Sequence, residues 1–339
     1  MTLKEIAREA GVSISTVSRV INNTDSKVAS PEVKERIWEV VRRTGYVPNP
    51  AAKGLKLGQT GSKTRSHSLF CLFARTPNAP DDPFFSSLAR SVEIEAFKQD
   101  YILKSSFTSF DITKAETCRM ILDTDVSGGV ILGRCDKPTL KFLKQHFHYV
   151  VYTGLNGIDA NFDQILCDGY GASTCAMEYL IGLGHRHIGY LGETSIENRY
   201  QGYLDCLEKH QLPFDSSYVA PVPFSSNGGY QGARKLLEQQ PGLTAIFCGN
   251  DITAIGAMRG IKDHGLKIPR DISVISIDDI DTAQYLSPML TTVHIPVDAM
   301  GSTAAKTLID RIDGGHTLPM KIYLPFHIAK RESCGAPRS

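Results

Sequence analysis

Apolar residues recur with a helical period over the first 46 positions. Beyond residue 68 they gather into short runs separated by helix-like stretches. Leu3, Ile6, Ala7 and Ala10 fall at i, i+3, i+4 and i+7, which predicts a helix over Leu3–Ala10 with one apolar face. Gly11 breaks it with a tight turn, and Ser13 is placed to cap a second helix over Ile14–Asn22. That helix turns Val17, Val20 and Ile21 inward and presents Ile14, Ser15, Ser18, Arg19 and Asn22 outward. A third helix opens at Ser30-Pro31-Glu32, with serine as cap and proline in the first turn. It is expected to bury Val33, Ile37, Val40 and Val41 and to end near Gly45. Two short helices joined by a glycine turn form a helix-turn-helix pattern, whose second helix needs small or hydrogen-bonding outward residues to lie in a major groove.

Past residue 68 the strand-like runs are 69–74, 101–106, 128–133, 149–154, 164–168, 187–192, 219–224, 245–249 and 272–277. Helix-like stretches such as 86–98 and 171–183 separate most of them. This is the alternation of doubly wound parallel sheets. About 270 residues is long for one such sheet, so two Rossmann-like halves with a cleft between them are expected. The predicted fold class is α/β: an all-α helix-turn-helix head on a core of two doubly wound parallel-sheet subdomains.

Composition agrees with several packed cores: 42% of the 339 residues are hydrophobic. No apolar run approaches the roughly 20 residues needed to span a bilayer. The charged, amphipathic start MTLKEIAREAG does not read as a signal peptide, so a cytoplasmic protein is expected. The eight cysteines form no C-x-x-C pair and several lie in apolar runs, the pattern of reduced, buried thiols rather than disulfides or zinc ligands. The net charge of +1 conceals an asymmetry. Residues 1–66 carry 12 basic and 6 acidic side chains, whereas the remainder carries 25 and 30. A basic head on a mildly acidic body suits a polyanionic partner for the head alone.

Between head and core, Tyr46-Val47-Pro48-Asn49-Pro50-Ala51-Ala52-Lys53-Gly54-Leu55-Lys56-Leu57-Gly58 has room for barely two helical turns. So short a helix is unstable alone in water and would form only against DNA. The segments Leu3-Lys4-Glu5-Ile6-Ala7, Gly11-Val12-Ser13, Thr16-Val17-Ser18-Arg19-Val20-Ile21-Asn22 and Gly45-Tyr46-x-Pro48-Asn49 resemble the LacI/GalR family of bacterial repressors. The resemblance implies that Ile14 and Ser15 hold the principal base-reading positions, with Arg19 as a further contact. Ser13, Thr16 and Asn22 complete the expected DNA-binding set, and Lys53 is expected on phosphate. It also implies that Leu55 is a hinge-helix wedge that opens a base step in the minor groove.

The likeness continues through Leu183-Gly184-His185-Arg186-x-Ile188, Arg199-x-x-Gly202-Tyr203, Gly249-Asn250-Asp251-x-x-Ala254-x-Gly256, Ile268-Pro269-x-Asp271-Ile272-Ser273-Val274-Ile275, Asp278-Asp279 and the return strand at Leu290-Thr291-Thr292-Val293. Such cores resemble periplasmic sugar-binding proteins closed over a small ligand. The expected organisation is a head over 1–46, a hinge helix over 47–57, a linker over 58–67 and a core over 68–339. One subdomain is expected over 68–166 plus 295–322, the other over 167–294 plus 323–332. Strand ends are where this architecture places ligand residues. The expected effector set is Phe84 and Phe85 after the first core strand, Phe224 at a strand end, Arg199 at a helix start, Asn250 after a strand, and Asp278 at a strand end. Arginine, asparagine and aspartate suit vicinal hydroxyls, while aromatic faces suit sugar C–H surfaces.

Two positions depart from the family's habit: Ser276 stands where glycine is usual, and Thr153 where many members have aspartate. His185 and His187, at i and i+2 on a turn entering a strand, point to opposite faces, which argues against a metal. No G-x-G-x-x-G or G-x-x-x-x-G-K-[ST] occurs, so neither an enzyme nor a cofactor is expected, although Gly154-Leu155-Asn156-Gly157 offers a short glycine-rich turn. A carrier is disfavoured by the basic head. The expected partners are a pseudo-palindromic DNA operator, a second copy of the chain and a small-molecule effector. Purine-responsive members of the family that this chain resembles carry an extra arginine in the loop before the position of Arg199. Here the loop Gly192–Asn198 has no basic residue, so the resemblance implies a neutral sugar, with a purine or other non-sugar metabolite as the alternative. The stretch Ser276–Ala283 and the later Leu-Pro pairs resemble the galactoside-regulating branch.

Overall fold

The computed structural model describes residues 2–22, 29–44, 46, 67–74, 82–107, 112 and 114–338. The expected hinge helix, with Lys53 and Leu55, lies outside the described residues, and so does the side chain of Asn22.

The head folds from local signals. Helix α1 (Leu3–Ala10) starts in a capping box: the Thr2 amide donates to Glu5 at 2.7 Å and the Glu5 amide to the Thr2 hydroxyl at 3.3 Å. It stops at Gly11, whose φ of +66° suits a residue without Cβ. The Ser13 hydroxyl accepts the Thr16 amide at 3.0 Å and opens α2 (Ile14–Asn22). Helix α3 (Pro31–Thr44) closes the trio. Ile6, Ala7 and Ala10 pack with Val17, Val20 and Ile21 and with Ile37, Trp38, Val40 and Val41. Val33, expected inside, is only half-buried. The inward stripe of α3 is turned toward the bulky Trp38, which leaves Val33 at its margin.

The core holds two six-stranded sheets. The first contains β1 (Ser68–Phe73), β2 (Ile102–Phe107), β3 (Gly128–Leu132), β4 (Val150–Gly154), β5 (Asp163–Cys167) and β11 (Lys321–Leu324), in the order β11-β5-β4-β3-β1-β2. The second contains β6 (Ile188–Gly192), β7 (Val219–Pro221), β8 (Ala245–Cys248), β9 (Ser273–Asp278), β10 (Thr291–His294) and β12 (His327–Ala329), in the order β12-β10-β9-β8-β6-β7. Every pairing is parallel except β10 with β12. The strands β1, β3, β4, β5, β6, β8 and β9 are buried along their whole length, as strands covered by helices on both faces must be. The covering helices are α4 (Pro83–Lys98), α5 (Ala115–Leu122), α6 (Lys137–His146), α7 (Gly169–Gly182), α8 (Asn198–Lys209), α9 (Ser226–Gln239), α10 (Asp251–Asp263) and α11 (Val297–Asp313).

The chain passes between the halves more than once. After β10 it returns as α11, which packs on α4 and on β3, β4 and β5. Arg311 of α11 donates twice to the buried Asp163 of β5, at 2.8 and 2.9 Å, fixing that return. Strand β11 then pairs with β5 as far as Leu324 opposite Cys167, so the last crossing falls after residue 324 and not at 322–323. The expected run 219–224 is also shortened. Pro221 and Pro223 have no amide hydrogen to extend the ladder, so β7 ends at Pro221 and Phe224 sits in the turn before α9. Strands β11 and β12 are absent from the runs read in the sequence. They have four and three residues, and β11 alternates exposed and half-buried positions, which leaves no apolar run to read.

Candidate functional site

The carboxyl ends of both sheets face one cleft. From the first subdomain come Asp82, Phe84 and Phe85 at the start of α4, Gly133 and Arg134 after β3, and Gly154, Leu155 and Asn156 after β4. The second contributes Glu193 after β6, Arg199 in α8, Pro223 and Phe224 after β7, Asn250 after β8 and Asp278 at the end of β9. All six expected effector residues therefore line a single cavity, of about 80 Å³.

Arg199 is 2% exposed. Its Nε and Nη2 donate to the Glu197 carboxylate at 2.8 and 3.0 Å, and Nη1 donates to the Gly249 carbonyl at 2.8 Å. Burial pulls its pKa down, but the charge and bonds of Glu197 outweigh burial and raise it, so the guanidinium stays charged. The Phe224 ring lies 4.4 Å from its centre, a cation–π contact. That ring can lie over the strand ends because glycines stand there. A Cβ at Gly192 or Gly249 would come within 2.7 or 2.6 Å of it. Asn250 caps α10, its side-chain oxygen accepting the Thr253 amide at 3.0 Å, and it lines the cavity. Phe84 and Phe85 meet edge to face in the first turn of α4, with centroids 5.2 Å apart.

Asp278 occupies an unusual backbone. Its φ is +131°, and that of Asp279 is +60°. Two consecutive non-glycine residues in this half of conformational space cost on the order of 1–3 kcal/mol each. They persist here because both flanks are tied: Arg331 and His294 bond Asp279 at 2.6 and 2.9 Å, and the amide of Ile280 donates to buried Asp251 at 2.9 Å.

Residues in and behind the cleft escaped the sequence reading. Glu197 is the partner that holds Arg199. Arg134 reaches across from the first subdomain, Nη1 donating to the carbonyls of Ser195 and Ile196 at 3.0 and 2.6 Å and Nη2 to Glu193 at 2.5 Å. The loop Gly192–Asn198 has no basic residue of its own, yet it receives a guanidinium from the opposite lip. Its signal was Gly133-Arg134 at the end of the run 128–133, the same strand-end rule that pointed to Asp278. Both departures acquire a physical reading. Ser276 donates to Asp251 at 2.5 Å, a bond that glycine could not make. Thr153 is fully buried, its hydroxyl has no partner among the described residues, and it does not line the cavity; Tyr152 and Gly154 do. His185 is buried against Thr244, Ser273 and the carbonyl of Gly335, tying the C-terminal segment to the second sheet. The described residues contain no cluster of metal-binding side chains, and all eight cysteines are free thiols. Burial pushes Cys71 and Cys167 up to about 12, which keeps them protonated.

On the head, α2 presents Ile14, 47% exposed, together with exposed Ser15 and Arg19. Ser13 is exposed at its start, where its hydroxyl bonds those of Ser15 and Thr16 at 2.8 Å each; Arg19 donates back to the Ser15 carbonyl at 3.3 Å. The outward surface is thus one apolar side chain beside hydroxyls and a guanidinium.

A model described as bacterial regulatory proteins, lacI family, matches residues 2–49, and a periplasmic binding protein-like domain matches residues 177–334. The HTH-type transcriptional repressor PurR of Yersinia pestis (strain Pestoides F) is 31% identical over 341 residues, covering 98% of this chain and 96% of that protein. The chain belongs to the LacI family. It is a DNA-binding repressor with an effector-binding core, and members of the LacI family are transcriptional regulators. Similar solved structures include a transcriptional regulator CelR–cellobiose complex (TM-score 0.74, 26% identity, 98% of this chain and 99% of that one). A LacI-family regulator from Enterococcus faecium with bound ribose has a TM-score of 0.69 and 28% identity over 80% of this chain and all of that one. The lac repressor dimer bound to operator and the anti-inducer ONPF shares the fold, with a TM-score of 0.70 and 22% identity over 99% of each chain. The galactoside likeness of the segment after β9 gains no specific support from these LacI-family relatives. Among the described residues no helix is long and apolar enough to cross a membrane.

Proposed function

We propose that this LacI-family repressor binds a pseudo-palindromic operator as a homodimer and responds to a small, uncharged sugar held between its two subdomains. One observation carries the sugar reading. Both guanidinium groups that line the cleft are already bonded to carboxylates, Arg199 to Glu197 and Arg134 to Glu193. An anionic ligand would have to displace those pairs and would meet Asp82 and Asp278 as well. A polyhydroxylated ligand instead finds carboxylate acceptors, amide donors and aromatic faces. The cavity, about 80 Å³, has room on the order of six water positions, the scale of a monosaccharide rather than a long oligosaccharide. Ribose and cellobiose in the similar regulators support the same class of ligand.

In this reading α2 enters the major groove. Ile14 and Ser15 read base edges, with Ile14 suited to a thymine methyl and Arg19 to guanine. Ser13, Thr16 and Asn22 lie beside them, Lys53 contacts phosphate and Leu55 wedges the minor groove. A purine effector is the second reading, favoured by the identity with PurR, a purine repressor, along nearly the whole chain. The test is a melting-temperature screen of the full-length protein with D-ribose, D-galactose, lactose, cellobiose, hypoxanthine and guanine. Each stabilising compound is then titrated against operator binding. A sugar that stabilises the protein and shifts operator affinity is expected. Stabilisation by a purine alone overturns the sugar reading.

A further inference from the structure

Asp251 is the first residue of α10 and is fully buried behind the effector cleft, outside its lining. Its Oδ1 accepts the hydroxyl of Ser276 on β9 at 2.5 Å and that of Thr292 on β10 at 2.6 Å. Its Oδ2 accepts the backbone amide of Ile280 at 2.9 Å. These three donors bracket the end of β9: Ser276 lies two residues before Asp278 and Ile280 two residues after it. Between them the backbone runs through the two positive φ angles of Asp278 and Asp279. A conformation so rarely adopted by residues with a Cβ must be imposed by its surroundings.

We propose that Asp251 is a positioning residue for effector binding, its buried carboxylate pinning the strained Asp278–Ile280 turn so that Asp278 faces the cleft. The inference rests on the reading of Asp278 as an effector contact. The carboxylate acts from inside the fold, and Arg331 and His294 hold the same turn from its other side through Asp279. Without the inner acceptor the Ile280 amide is buried with nothing to accept it, and the turn relaxes toward negative φ. Asp278 then leaves the geometry in which it meets a ligand hydroxyl. Ser276 belongs to the same device, since its hydroxyl both satisfies Asp251 and sits on the strand that carries Asp278. The competing account is that Asp251 merely glues α10 to the sheet. Its loss would then loosen the whole second subdomain evenly.

Hydrogen exchange on the full-length protein separates these accounts without any effector. In Asp251→Ala, amides across 279–281 should exchange roughly tenfold or more faster than in the parent, with β6 and β8 unchanged. Asp251→Asn keeps an oxygen that can accept the Ile280 amide, while the Ser276 and Thr292 hydroxyls can accept its NH₂; it should restore most of the protection. Ser276→Ala, the milder change, should accelerate the same amides by a few fold and carries the test if Asp251→Ala does not fold. Unchanged exchange at 279–281, or acceleration spread evenly over the second subdomain, overturns the proposal. In the same variants, whichever of D-ribose, D-galactose, lactose or cellobiose stabilises the parent most should bind Asp251→Ala roughly tenfold or more weakly and Asp251→Asn nearly as well as the parent. Equal binding by Asp251→Ala and the parent also overturns it. If the parent binds none of these sugars, the sugar reading fails, and the exchange pattern still decides the role of Asp251.

Discussion

At the scale of single residues, the proposed function separates side chains that would meet the effector from those that hold the site together. Under that proposal Arg199 does both. Its guanidinium is bonded to Glu197 inside the protein, and both side chains are almost wholly enclosed, at 2% and 0% exposure. Arg199→Ala would strand the Glu197 carboxylate, a loss of about 3–5 kcal/mol for a broken buried pair. The variant is expected to melt early and to lose operator binding together with effector response. Asp278→Asn is the cleaner probe, because asparagine tolerates positive φ and keeps the shape. It should melt close to the parent, bind operator normally and respond to sugar roughly tenfold less sensitively or worse. Melting curves and operator titrations on both variants check this, and a stable Arg199→Ala would contradict the burial argument. Arg199 was legible in the sequence as a helix-start arginine. Its partner was not, because an acid two residues earlier in a polar loop looks like any solvated charge until the backbone folds it inward. Asp251 supplies a pH dependence. Burial pushes its carboxyl up to about 6 against the hydrogen bonds of Ser276, Thr292 and Ile280, and nearby Asp279 adds repulsion. An acid raised in the folded state favours folding fully below about pH 4, and that contribution is lost as pH rises through about 6. Asp251→Asn, which cannot ionise, has no such loss. The melting temperature of Asp251→Asn minus that of the parent should therefore climb between pH 4 and 6 and then level off. A difference that is flat or falling across that window would contradict the assignment.

At the scale of elements, periodicity and caps carried most of the information. The helices of the head were legible because Gly11, Ser13 and Ser30 mark their ends in residue types that act locally, while the Thr2 capping box was not read. The core strands were legible because burial on both faces leaves continuous apolar runs. Strands β11 and β12 gave no such run, and Phe224 was assigned to a strand that two prolines end early. Under the proposed function, operator choice belongs to α2. Its exposed surface at Ile14 and Ser15 is small, so a few contacts decide which sequence fits. Replacing both by residues of different size and hydrogen-bonding type should change the preferred operator. The melting temperature should hold, because neither side chain enters the core formed by Val17, Val20 and Ile21. Selection from a randomised operator library, run with parent and variant, reads this directly. An unchanged preferred sequence would remove α2 from base recognition.

At the scale of the whole molecule, the two subdomains are joined by chain crossings and by Arg134, which bonds the loop after β6 across the cleft. In an opened arrangement the covalent crossings would survive, whereas the bonds of Arg134 to Glu193, Ser195 and Ile196 would part with the lips. They therefore favour the closed arrangement without touching the open one. A ligand that binds the closed cleft gains from this, because its apparent affinity scales with the fraction of protein already closed. Both partners are about a quarter exposed, at 29% and 25%, so solvent screening keeps the effect modest. Arg134→Gln can retain one bond to the loop carbonyls but loses the charge, and Arg134→Ala loses everything. Sugar affinity should fall in the order parent, Arg134→Gln, Arg134→Ala, by roughly three- to tenfold in all. Most of the loss should appear as faster dissociation, since the lips must part before the sugar leaves. The melting temperature of the sugar-free protein should hardly move, as no buried charge is stranded. Stopped-flow release of a bound sugar, measured beside scattering-derived dimensions of the free protein, checks both parts. Release no faster than the parent's would contradict the closure argument, and free-protein dimensions unchanged alongside a full loss of affinity would show that Arg134 acts on the ligand itself and not on the closure of the lips.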